Sequence, residues 1–258
     1  VTAERDRRGL TGRMADRYNL DIQLRRATAH QEKGMDIMLT KAERIKKSKA
    51  PPAPSGLEGR LPPGQTLTDR FPILHEGEVP RYEMVDWTLR VFGEVEEEAT
   101  FTYEQLMALP KTTIETDIHC VTRWSKFDTV WEGVRFRDVM KLLKVKPEAR
   151  YVMVHADNDY ETNVPLADLL GDDILLAYQF NGEPLTDKHG WPLRLLVPHL
   201  YFWKSAKWIR GFEFMKEDRP GFWERNGFHN YADPFREQRF SGEDLGLPED
   251  EWHHKDYD

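Results

Sequence analysis

Apolar residues over the first fifty positions recur at helical spacing, and from Thr66 onward they mostly alternate. Leu20, Leu24 and Ala27 make one narrow stripe, and Met35, Met38, Leu39 and Ala42 make another. This spacing predicts one or two amphipathic helices in a polar arm, residues 1–50. Residues 51–65, rich in Pro and Gly, read as a linker or an extended wrapping segment, because proline fixes φ and removes a backbone donor.

The body is expected over 66–240. Trp87, Leu89 and Val91 share one face of a strand closed by Gly93, and Ile114, Thr116, Ile118 and Cys120 share a face of another. Thr102 with Gln105 three residues on is a capping-box signature for a short helix that Pro110 ends. Helical spacing returns over 136–143 and 166–170. Strands are predicted over 151–155, 174–180, 193–197 and 208–215. Asn181-Gly182 supplies the positive φ of a tight hairpin. Short strands dominate, with helices between some of them. The fold class is α+β, a mostly-β mixed-sheet core with short helices rather than a regular βαβ alternation. Residues 241–258 read as an acidic tail.

Charge divides the chain. Residues 1–50 carry 13 Lys and Arg against 7 Asp and Glu, a net +6, so with an overall −8 the other residues carry −14. An acidic body argues against nucleic acid as a partner, since phosphate contacts supply most of that affinity. No apolar run approaches the ~18 residues of a membrane span. Arg7-Arg8 has no apolar segment behind it, so a cytoplasmic location is expected.

Absent motifs narrow the chemistry. No GxGxxG or GxxxxGK[ST] supplies a phosphate cradle, and the nine histidines lack HExxH or HxH spacing. One cysteine rules out an intrachain disulfide and a thiolate-rich zinc site. That cysteine, Cys120, ends a strand. A lone thiol is usually a small buried hydrophobe, but here Arg123 can supply positive charge and Trp124 a cavity wall, the surroundings a thiolate ligand needs.

Cys120-Val121-Thr122-Arg123-Trp124-Ser125 followed by Trp131-Glu132-Gly133 resembles the cofactor loop of the sulfite-oxidase-like molybdopterin enzymes. It is most similar to the branch holding the protein-methionine-sulfoxide reductase catalytic subunits. Asn181–Leu185, Lys188–Pro198 and Tyr201–Ile209 resemble three further family stretches in the same order, and Phe71–His75 with Trp87–Gly93 resembles the entry segment.

The resemblance implies a sulfite-oxidase molybdopterin-binding fold, a molybdenum-molybdopterin cofactor and Cys120 as the protein ligand to the metal. It implies cofactor contacts at Leu74, His75, His155, Ala156, His189, Arg194, Ser205, Ala206 and Lys207. Arg123, Lys204 and Tyr201, with Cys120, are the expected catalytic group. The implied activity is oxo transfer on a small sulfur or nitrogen oxo compound, with electrons exchanged with a separate haem or flavin protein. The loop differs from that of sulfite oxidases proper, which carry Asn-Arg-Arg after their Cys. Two other readings stay open here: a binding module that keeps the pocket without turnover, and an interaction protein with a buried structural thiol.

Overall fold

A computed structural model describes residues 56–57 and 59–241. The expected arm at 1–50 and nearly all of the expected tail lie outside the described residues. In chain order come β1 (Thr66–Leu67), a 3-10 turn (Met84–Asp86), β2 (Thr88–Gly93), β3 (Ala99–Thr102), α1 (Tyr103–Met107), β4 (Lys111–Cys120) and β5 (Trp124–Arg135). Then follow α2 (Phe136–Met140), β6 (Tyr151–Ala156), β7 (Glu161–Pro165), α3 (Leu166–Leu169), β8 (Leu175–Phe180) and β9 (Glu183–Pro184). A second 3-10 turn (Asp187–His189), β10 (Arg194–Leu196), β11 (Ile209–Met215) and α4 (Phe222–Arg225) complete the order.

The strands form two mixed sheets. One runs β1-β5-β8-β10, with β4 also on β5 and β9 also on β8; the other runs β3-β2-β11-β6-β7. Parallel pairing occurs between β1 and β5 and between β2 and β11. The mostly-β architecture with short helices agrees with the expectation from sequence.

Local signals explain several elements. Both bonds of the capping box are made at α1: Gln105 N–H donates to Thr102 Oγ1 at 3.3 Å, and Thr102 N–H donates to Gln105 Oε1 at 2.8 Å. Asn181 (φ 50°) and Gly182 (φ 83°) turn β8 into β9, as an Asn-Gly hairpin requires.

β5 is a difference. It is the central strand of its sheet, yet the sequence shows no strand pattern there. Its buried face carries Ser125 and Thr129 beside Trp131, so polar side chains occupy positions where alternation would show apolar ones. These hydroxyls are satisfied internally. Ser125 Oγ bonds the His119 ring at 2.8 Å, and Thr129 donates to Thr116 O and accepts from Trp131 Nε1 at 2.9 Å.

The core packs apolar residues of both sheets together: Leu89 and Val91 of β2, Val152 and Val154 of β6, Leu176 of β8, Leu195 of β10 and Phe212 of β11. Phe136 meets Phe212 edge-on, with ring centroids 5.0 Å apart. The end of the expected linker belongs to this body. Leu61 and Gln65 are buried, and the Gln65 amide reaches the β4–β5 turn. Among the described residues no helix is long and apolar enough to cross a membrane.

Candidate active site

β4 ends at Cys120, which pairs with Trp124 across the turn that begins β5. Arg123 adopts φ 69° and returns its N–H to Cys120 O at 3.0 Å. Nearly every carbonyl of the turn is held from outside it. Gln65 Nε2 donates to Cys120 O at 3.0 Å and to Trp124 O at 3.3 Å. Arg239 Nη1 donates to Val121 O at 2.9 Å, and Thr66 N–H donates to Arg123 O at 2.9 Å. The thiol is 8% exposed, with its Sγ 3.2 Å from Thr122 Oγ1.

Cations and a tyrosine surround this strand end. The Arg123 guanidinium donates to Gly64 O at 3.2 Å and lies 3.5 Å from Glu237. Burial lowers its proton affinity, the nearby Arg239 charge adds to this, and Glu237 opposes it. Arg239 is buried and sits 4.9 Å above the Tyr201 ring. Tyr201 is wholly buried, and its hydroxyl meets no hydrogen-bond partner among the described residues. Burial pushes that phenol up. A Cys120 thiolate would raise the proton affinity of both Tyr201 and Lys207, which links this cluster to a second one.

The second cluster is a cradle of positive charge, buried at Arg194 and half-buried at Lys207. Arg194, at the start of β10, is 1% exposed. It donates to His189 O at 3.0 Å and to Ser205 O at 2.7 Å, and it lies over the Phe202 ring at 4.3 Å. Its Nε has no hydrogen-bond partner among the described residues. Lys207 Nζ donates to Leu74 O at 2.8 Å and to Lys188 O at 2.6 Å. Neither cation meets a carboxylate among the described residues. Burial pushes the Lys207 ammonium down to about 7, with the Arg194 charge second, and burial pushes Arg194 down to about 9. A guanidinium keeps its proton at neutral pH regardless, so Arg194 is a buried charge offset by two carbonyls and aromatic rings but by no carboxylate among the described residues.

Gly190 lets the two cations come together. At φ 111° it closes the 3-10 turn, and a Cβ there would stand 3.1 Å from Arg194 Cβ and 3.2 Å from Lys207 Cβ. His189 stacks on Phe71 with centroids 4.2 Å apart and bonds Thr186 Oγ1 through Nδ1 at 2.8 Å. The His75 ring meets the edge of Trp208 at 5.4 Å. Burial lowers the proton affinity of both imidazoles, with Lys207 adding to it. Ser205 and Ala206 serve through backbone and hydroxyl. Ser205 Oγ accepts from Val197 N–H at 2.9 Å, and Ala206 O accepts from Leu195 N–H at 2.9 Å.

Two expected residues are employed elsewhere. Lys204 is fully buried, and its ammonium is taken by Glu224 at 2.6 Å, Asn163 O at 2.7 Å, Asn163 Oδ1 at 3.0 Å and Asn230 O at 2.7 Å. An ammonium has three donors, so none is left for a substrate anion. His155 sits on β6 of the second sheet between Glu213 at 3.0 Å and Glu161 at 3.5 Å, stacked on Phe92. Both ring nitrogens face carboxylates, a poor setting for an anionic cofactor. Ala156 ends the same strand opposite Ile209. Sequence reasoning missed Gln65, Thr122 and Arg239 at the turn, and Phe71 as the ring under His189. Their partners are distant in sequence or, for Thr122, only two residues off without a motif.

The donor set fits a molybdenum-pterin group. A soft thiolate suits such a metal. Among the described residues no three His, Cys, Asp or Glu side chains gather to hold a metal ion, so a metal at Cys120 depends on ligands that a cofactor brings. Buried Arg194 and half-buried Lys207, with no carboxylate partner and an unused Arg194 Nε among the described residues, and a glycine cradle match an anionic cofactor.

Comparison with known proteins points the same way. Residues 76–223 match the family described as oxidoreductase molybdopterin binding domain. The chain is 53% identical over 188 residues to the uncharacterized oxidoreductase YuiH of Bacillus subtilis (strain 168), covering 72% of this chain and 95% of that one. It is 28% identical to the putative protein-methionine-sulfoxide reductase subunit YedZ1 of Azospira oryzae, over 65% of this chain and 64% of that one. It is 27% identical to the mitochondrial sulfite oxidase of Drosophila melanogaster, over 65% of this chain but only 34% of that protein. In structure it is similar to the sulfane dehydrogenase SoxCD of Paracoccus pantotrophus, at TM-score 0.52 and 23% identity, covering 59% of this chain and 43% of that one.

Proposed function

This chain belongs to the oxidoreductases with a molybdopterin-binding domain, and from that premise we propose that it performs oxo transfer on a small sulfur or nitrogen oxo compound at a metal held by Cys120. The observation that carries the reading is one thiol at a strand end, together with buried Arg194 and half-buried Lys207, neither of which meets a carboxylate among the described residues. When bound, molybdenum supplies the two-electron oxo-transfer chemistry.

The chain's own residues hold, orient and shield. Cys120 gives a soft thiolate from a turn whose carbonyls are pinned by Gln65, Arg239 and Thr66. Arg194 and Lys207 hold the cofactor's anionic end, flanked by His189, Leu74 and His75 and by the Ser205–Ala206 backbone. Trp131 and Phe202 cover Arg194 and keep water from it. Arg123 takes the substrate side, with Tyr201 buried behind it. Arg123 draws an oxo compound by charge, and the buried Tyr201 hydroxyl, without a hydrogen-bond partner among the described residues, stays the other member of the proposed group. Lys204 is left out of the catalytic group. Ala156 stays only a peripheral cofactor contact, and His155 is left out of the cradle.

Electrons pass to or from a separate haem or flavin protein, and the enzyme works in the cytoplasm. Expression in a host that makes the cofactor, followed by metal analysis and a substrate screen with viologen dyes, tests the reading. Near-stoichiometric molybdenum in the native protein and its loss in Cys120→Ser are expected. Equal molybdenum in both proteins would sink the assignment of Cys120.

A further inference from the structure

A metal-bound thiolate has no proton, so a hydrogen bond at its sulfur survives only if the neighbour donates. Thr122 Oγ1 lies 3.2 Å from Cys120 Sγ, and in the thiol either atom could be the donor. We propose that the Thr122 hydroxyl donates to the Cys120 thiolate and thereby raises the reduction potential of the metal that Cys120 ligates.

The geometry is built rather than incidental. Thr122 sits in a turn of three residues between paired Cys120 and Trp124. The carbonyls before and after it are each held by another segment: Val121 O by Arg239 from the C-terminal side of the body, Arg123 O by the Thr66 amide. Cys120 O accepts from both Gln65 and Arg123. Arg239 also donates to Gln65 Oε1 at 3.4 Å and to Pro63 O at 2.9 Å, so the groups that hold the turn hold one another. A turn fixed at this many points keeps the hydroxyl and the sulfur at one separation.

The direction follows from charge. A hydrogen bond to a thiolate withdraws electron density from sulfur, so the sulfur donates less to the metal. An electron-poorer metal accepts an electron more readily, and bonds of this kind are a recognised lever on metal–sulfur potentials. Thr122 acts through Cys120 and is a positioning residue, not a catalytic one.

This inference rests on the molybdenum reading above, and the test separates the two. Native protein, Thr122→Val and Thr122→Ser are prepared with cofactor, and molybdenum content is measured first. Potentials then come from a titration followed by electron paramagnetic resonance, and sulfur-to-metal charge transfer from visible absorption. Thr122→Val is expected to shift the potential negative and move the charge-transfer band to longer wavelength, while Thr122→Ser keeps both near native. Unmoved potential and band in Thr122→Val at equal molybdenum loading overturn the inference and leave the enzyme reading intact. Native protein without molybdenum overturns both. If Thr122→Val takes up no metal, the native protein alone decides. An exchangeable proton coupled to the one-electron-reduced metal, lost in deuterium oxide, supports the bond, and its absence overturns it.

Discussion

Lys204 and Lys207 stand three residues apart in one segment, and the fold treats them in opposite ways. Lys204 is buried against Glu224, with both side chains 1% exposed and three carbonyl-type acceptors taking up the rest of its ammonium. Lys207, with its neighbour Arg194, is given backbone carbonyls and aromatic rings among the described residues, and no carboxylate. A buried charge costs several kcal/mol of desolvation, on the order of 3 or more, unless something opposite repays it. Lys204 has its opposite charge inside the chain. Among the described residues Arg194 and Lys207 have none, and in the proposed cradle an anion from outside would supply it. Counter-charge within the described residues separates the structural cation from the proposed binding ones.

The largest expected effect tests the structural side. Lys204→Met leaves the Glu224 carboxylate buried with the Thr162 and Trp203 donors alone among the described residues. It should cost about 3–5 kcal/mol in urea or thermal unfolding. Replacing Glu224 as well should recover much of that loss. A single variant no worse than an ordinary surface change would break the comparison. Next in size, Arg194→Gln should weaken cofactor retention about 10–100-fold, yet leave the cofactor-free protein as stable as before or more so. A cofactor-free variant that melts far below native would make Arg194 a structural cation like Lys204.

Smaller still is Ser205→Ala, which sharpens the contrast within one residue. The Ser205 hydroxyl satisfies a buried backbone donor at Val197, while its carbonyl holds Arg194. Losing the hydroxyl should cost about 1–3 kcal/mol of stability and leave molybdenum content unchanged, because the carbonyl remains. Reduced metal at unchanged melting temperature would reverse that division of labour.

What the sequence reveals follows from how local each cause is. The capping box at Thr102 and the Asn-Gly turn at Asn181 depend on residues within three positions, and both are readable in advance. So is the strand that ends at Cys120, since alternation marks its face. β5 is hidden because Ser125 and Thr129 fill buried positions and find their partners across the sheet. Lys204 and Lys207 look alike in the segment Lys204-Ser205-Ala206-Lys207. Asn163, Glu224 and Asn230, which set them apart, lie on other elements of the chain. Arg239 falls in a stretch of mixed charge and aromatics with no period, and only the fold carries it to Val121 and Pro63.

The subtlest test uses pH on the cofactor-free protein. Burial first, and Arg194 second, push Lys207 down to about 7 in the folded state, whereas an unfolded lysine titrates near ~10.4. Between those values the unfolded chain binds more protons than the folded one, so this group makes stability rise with pH across the window. Below about 7 both states carry the proton and its contribution is flat. An anion in the cradle favours the charged ammonium, so affinity for inorganic phosphate should fall as pH rises through about 7. Calorimetric titration with phosphate on either side of that pH checks the trend, and Lys207→Gln should flatten it. A native trend that Lys207→Gln leaves intact would place the titrating group elsewhere and leave Arg194 as the cradle's only working charge.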